Sequence, residues 1–158
     1  MTIKSIIPIA LITVAVACNA YESKSCMSGL DRAFNSSSVL DNAVSEMDST
    51  MLALLNSGVV TDNEVVVALS NSASMASMSL SSAAVISSLR QQGSFKQTTL
   101  VDDLVRLHFQ LTFEKFTSAK NSFVKFTGSM KNPTLRNQAL KVSQELDSIA
   151  SLLKACQK

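Results

Sequence analysis

The sequence predicts an all-α protein: a single-domain bundle of four main helices with a short N-terminal lead-in helix. Three observations predict it. Apolar residues recur at spacings of three and four along most of the chain. Glycine and proline are rare, four and two among 158 residues, and stand where helices would end. No alternation of apolar and polar residues is flanked by hairpin-turn residues, so strands are not expected.

The first twenty residues read as a secretory signal peptide. Lys4 precedes a mostly apolar run from Ile6 to Ala17, and Cys18 and Ala20 are small residues at the two positions a signal peptidase inspects. The run is too short to span a bilayer comfortably. The expected organisation is therefore a leader over 1–20 and a helical domain over 21–158. No later segment reads as transmembrane, and the end from Leu153 to Lys158 lacks the tail of a lipid-anchor signal. A secreted product is expected. Two readings of Cys18 stay open: it is the acylated cysteine of a bacterial lipoprotein, or it leaves with the leader. In the second, Cys26 and Cys156 remain as an even pair in an oxidising compartment; their alternative is two buried free thiols. Asn35, Ser36 and Ser37 form a glycosylation sequon that is equally ordinary loop chemistry.

After the lead-in from Cys26 to Phe34, the first main helix is expected to start at a cap provided by Ser36, Ser37 or Ser38. It carries Leu40, Ala43, Val44, Met47, Met51, Leu54 and Leu55 at helical spacing and ends at Gly58. Thr61 to Glu64 reads as a capping box, with Thr61 as the cap. A second helix from Val65 to Gln92 follows, rich in Ser and Ala between Ser70 and Ser88, which packing rather than propensity must hold. A third, capped by Thr98 or Thr99, reaches Phe126. It places Leu100, Leu104, Leu107 and Leu111 on one side, and Val101, Val105, Phe109, Phe113, Phe116 and Phe123 on another. A helix apolar over so much of its circumference is expected to be central. Asn132 and Pro133 open the fourth helix as cap and first helical residue. Its seam of Leu135, Ala139, Val142, Leu146, Ile149 and Leu153 continues to Cys156, turning that cysteine inward toward Cys26.

The catalytic repertoire is thin, and no enzyme is expected. His108 is the one histidine, so it has no partner for a zinc site, and its place between two apolar faces reads as a hydrogen-bonded core edge. Asp102 and Asp103 suit the start of a helix. No phosphate-cradling glycine loop or nucleophile elbow is present. The net charge of +2 is scattered, which argues against nucleic acid as a partner. No metal and no cofactor are expected. The remaining candidate is an apolar cavity between helices, where the large rings of Phe109, Phe113, Phe116 and Phe123 face small residues together with Met75 and Met78. A fatty acid would suit it, with Lys115, Lys120 or Lys125 at the mouth for the carboxylate; the bland alternative is ordinary core.

From Thr61 to Leu153 the chain resembles the fungal cell-wall galactomannoprotein and hydrophobic-surface-binding protein family. The similar features are Thr61 to Glu64 before an Ala/Ser-rich helix, the run from Ser88 to Phe95, the run from Leu100 to Leu104, and the final Leu146, Ile149 and Leu153 seam. The resemblance implies a secreted, helical, non-enzymatic protein, associated with the cell wall, that binds fatty acid or coats apolar surfaces. A secreted protein-interaction module, at a host, mating or immune interface, is the rival expectation. It needs a surface patch and no cavity.

Overall fold

The computed structural model describes residues 9–59, 61–93 and 99–157, with the side chains of the first helix described from Ser25 onward. Four long helices make up the fold: α1 (Ile9–Asn56), α2 (Asn63–Gln91), α3 (Thr99–Thr127) and α4 (Pro133–Leu153). A 3₁₀ turn over Lys154–Gln157 follows. No strand occurs among the described residues. Of the expected leader, residues 1–8 lie outside the described residues, as does the 94–98 segment between α2 and α3.

The expected lead-in is helical but is not a separate element. It runs into α1 without a break, and the three serines meant to cap the first main helix lie inside it. Their hydroxyls donate back to the preceding turn: Ser36 to Arg32 O at 2.9 Å, Ser37 to Phe34 O at 2.7 Å and Ser38 to Asn35 O at 3.3 Å. Serine at a helix interior can satisfy itself in this way, which is why a cap-like cluster need not begin a helix.

The helices pack as a ring. α1 lies against α2 and α4, and α3 against α2 and α4, while the diagonal pairs make little contact. Neighbours are antiparallel. Asp48 and Asp41 of α1 meet Ser70 and Ser77 of α2 in reverse order, as Thr50 and Glu46 of α1 meet Gln138 and Lys141 of α4. Leu40, Met47, Leu80, Phe116, Phe123, Leu135, Leu146 and Ile149 are fully buried where the four helices converge. The α4 seam is buried over its whole length from Leu135 to Cys156, as its spacing predicts.

Cys26 and Cys156 are disulfide-bonded, with Cα atoms 4.5 Å apart across 130 positions of sequence. One turn along, α1 and α4 come so close that a Cβ on Gly29 would stand 2.5 Å from the carbonyl oxygen of Leu152. Gly29 is thus the residue that lets these two backbones meet at the stapled end.

At the other end, Asn132 caps α4, its side-chain oxygen accepting from the amides of Thr134 and Leu135 at 2.9 and 3.1 Å. The start of α2 differs from the expected capping box. The first helical bond runs from Val66 N to Asp62 O, so Asp62 rather than Thr61 is the cap residue. It takes a left-handed backbone with φ of 68°.

Candidate functional site

The candidate site is the α2–α3 side of the bundle, built from two helix faces the core does not use. α2 turns Ala73, Ala76, Leu80 and Ala83 inward. Its small residues let both neighbours close in, and the serines among them find partners. Ser70 donates to Asp48 Oδ1 at 2.5 Å and Ser77 to Asp41 Oδ1 at 2.9 Å. Ser79 and Thr112 share a buried hydrogen bond of 2.9 Å between α2 and α3.

The six residues expected to bind a ligand are divided by this packing. Phe109, Phe116 and Phe123 are buried in the common core, and Phe113 is partly buried against it. Met75 and Met78 are on the outside of α2, 55 and 62 % exposed. The methionines therefore do not face the rings. Of the lysines considered for a carboxylate, Lys120 is paired with Asp147, and Lys125 sits over the ring of Phe126 at 5.2 Å.

The expectation of a central α3 is also corrected. α3 occupies a corner of the ring, against α2, α4 and the 3₁₀ turn among the described residues, so its phenylalanine side is buried and its leucine side is left out. Leu100, Leu104, Leu107 and Leu111 are 46 to 68 % exposed, and they fall within about 60° of one another around the helix axis. A polar strip borders them on one side, where Arg106 pairs with Asp103 and Gln110 donates to Glu114.

On the other side lies α2, whose exposed Val67, Met75, Met78, Val85 and Leu89 form a second stripe within about 80° of arc. Between Val65 and Leu89 that helix contains no charged residue, so its outer face offers only aliphatic, thioether, hydroxyl and amide groups. The two helices are packed against each other, and Ile86 of α2 and Leu104 of α3 line one cleft at their seam. This cleft, of about 340 Å³, is lined by Ile86, Val101, Leu104, Val105 and His108. A smaller one of about 230 Å³ lies near the opposite end of the seam, between Val65, Ala68 and Leu69 of α2 and Phe126 of α3. A shallow groove of about 420 Å³ runs along α3 past Phe113, Lys125 and Phe126. None of the three is lined by Phe116 or Phe123.

His108 stands at the core edge, as expected, but its hydrogen bonding differs from expectation. Nε2 is buried and finds no partner among the described residues. No group of three or more His, Cys, Asp and Glu among the described residues could hold a metal ion, and no described helix is long and apolar enough to cross a membrane.

Fold and site together define a class: a disulfide-closed, antiparallel four-helix bundle with an apolar stripe exposed on each of the neighbouring helices α2 and α3. No protein-family model matches the sequence, and no curated protein or solved structure is significantly similar to it.

Proposed function

We propose that this is an exported, non-enzymatic protein that binds lipid or other hydrophobic matter, and that it does so with the outer α2–α3 face. The observation that carries the reading is the exposed leucine stripe of α3, on a helix packed against α2, whose own exposed apolar stripe has no charged residue between Val65 and Leu89. Contiguous exposed apolar surface on a folded domain marks an interaction site. Withdrawing a leucine side chain from water is worth about 1.5–3 kcal/mol when complete. Four half-exposed leucines therefore supply about 4 kcal/mol toward adsorption, before α2 contributes.

The resemblance to the hydrophobic-surface-binding family points the same way, with the contact moved from an interior cavity to the outside of the bundle. Export is supported by the leader-like first twenty residues and by the Cys26–Cys156 bridge, which belongs to an oxidising compartment.

The polar strip of Asp103, Arg106 and Glu114 favours a second reading, in which the same face docks a protein, since an apolar centre with a polar rim is the anatomy of such interfaces. Flotation with neutral phosphatidylcholine vesicles tests the first reading. The protein should float with the vesicles, and the double variant Leu100→Ser, Leu107→Ser should lose most of that binding while its circular dichroism is unchanged. Absence of flotation by the unaltered protein overturns the lipid reading in favour of the protein partner. N-terminal sequencing of the exported product should begin at Tyr21.

A further inference from the structure

Asn35, Ser36 and Ser37 spell an acceptor sequon for N-linked sugar, and the structure places them inside α1 instead of in a loop. No second sequon competes with it, because Pro133 disqualifies the run from Asn132 to Thr134. Leu30, Ala33, Leu40, Val44 and Met47 form the buried stripe of this part of the helix. Asn35 is exposed, about 160° round the axis from the middle of that stripe. Asp31, Arg32 and Ser38 near it are exposed as well. A substituent on the Asn35 amide thus leads into solvent and displaces no packed side chain.

The serine that completes the motif lies on the other side. Ser37 is buried, and its hydroxyl donates to Phe34 O at 2.7 Å. Residues two apart on a helix do not face each other, so the folded chain never presents the asparagine and the hydroxyl together.

We infer that Asn35 is an N-glycosylation site, modified on the unfolded chain during export and then carried outward by α1. The bond formed joins the Asn35 amide nitrogen to the anomeric carbon of an oligosaccharide. The bond broken joins that carbon to the diphosphate of a lipid-linked donor, which leaves as the amide gives up a proton. The inference rests on the export reading. It also sets the sugar against the apolar face. α1 and α3 are diagonal in the ring, and the exposed leucines of α3 point about 145° away from its buried Val105, Phe109, Phe116 and Phe123. A glycan is bulky and solubilising. At Asn35 it stands across the bundle from the leucine stripe and leaves that stripe open.

The test expresses the full chain with its leader in mammalian cells and collects the protein from the medium. The secreted protein should carry sugar that a peptide N-glycosidase removes, leaving aspartate at position 35 in peptide mass spectrometry. Asn35→Gln and Ser37→Ala should each lose the sugar completely, whereas Ser36→Ala and Ser37→Thr should keep it. The glycosylated protein and Asn35→Gln should float equally with neutral phosphatidylcholine vesicles. An oligosaccharyltransferase supplied with its lipid-linked donor should modify the reduced, alkylated chain and spare the folded, disulfide-bonded one.

A secreted chain without sugar, or sugar that persists in Asn35→Gln, overturns the assignment and spares the export reading. A chain kept inside the cell with its leader attached overturns both. Modification of the folded chain overturns the order of events, and flotation lost only in the glycosylated form overturns the opposed placement. Sugar on a protein that does not float supports the site and sinks the lipid reading alone.

Discussion

Asp62, the cap residue of α2, holds the backbone of Asn132, the cap residue of α4. Its carboxylate accepts from the amide of Asn132 at 2.8 Å and from that of Lys131 at 2.9 and 3.1 Å. Asn132 in turn accepts the first free amides of α4 with its own side chain. The two connections at this end of the bundle are thereby tied into one unit, although 70 positions of sequence separate the pair.

Asp62→Ala should therefore be costly for a residue that is only half-buried. It removes charge-assisted acceptors from two amides and puts a Cβ-bearing residue with no local hydrogen-bonding ability at a left-handed φ. A loss of about 2–3 kcal/mol in urea unfolding is expected. Asp62→Asn, which tolerates the backbone and keeps one acceptor, should lose less than half as much.

Gly29→Ala should destabilise by about 1–3 kcal/mol, because the added methyl meets the Leu152 carbonyl, backbone that has no flexible end to swing aside. Helix propensity alone favours alanine by about 1 kcal/mol. A thermal melt that rises instead of falling would mean that α1 and α4 do not approach as closely as the structure has them.

Cys26→Ser together with Cys156→Ser should lower unfolding free energy by about 5 kcal/mol, the loop-closure value for a crosslink of this span. Mass spectrometry of the unaltered protein before and after reduction should register a gain of two hydrogens. A chain without that change contains free thiols.

How far these features could be read in advance follows from what decides each. The α4 seam and the Asn132–Pro133 start are local patterns, and both are where periodicity and capping chemistry put them. The boundary at Ser36 to Ser38 was not legible, because serine bonds equally well as a cap or back to its own helix, and only the continuation of α1 chooses. The exposed leucines of α3 were legible as a stripe but not as a surface. Periodicity distinguishes the sides of a helix, whereas burial depends on where its neighbours stand, and those of α3 all lie on its phenylalanine side or beside it. For the same reason Met75 and Met78 could be placed on one face of α2 but not assigned the outward one. His108 carried a signal, a lone polar ring between apolar faces, yet its missing partner is a tertiary fact.

Glu46 gives the fold a dependence on acid. Its pKa is lowered, first by the hydrogen bond from Lys141 and then by the charge of that residue, with a further contribution from Gln138. A carboxyl depressed in the folded state adds stability that is present above its unfolded pKa and lost as pH falls through the folded one. Lys141→Ala should return Glu46 toward its ordinary value in a carboxyl NMR titration and remove this contribution to acid sensitivity. The pair is exposed, so the effect on neutral-pH stability should be small.

Phe116 and Leu107 provide the sharpest contrast between core and surface on one helix. Phe116 is fully buried, and truncation to alanine removes a ring from the convergence of the helices, at about 3–5 kcal/mol. Leu107 is half exposed, and Leu107→Ser should change stability by no more than about 0.5 kcal/mol. If the phenylalanines were a ligand wall instead of core, Phe116→Ala would be tolerated in the unfolding experiment and would instead alter binding of an apolar probe. If the leucine stripe were silent, Leu107→Ser would change neither stability nor vesicle flotation. The expected outcome is the crossed one: Phe116→Ala lowers stability, and Leu107→Ser lowers flotation at unchanged stability. Only that result separates the residues that hold the bundle together from those it presents.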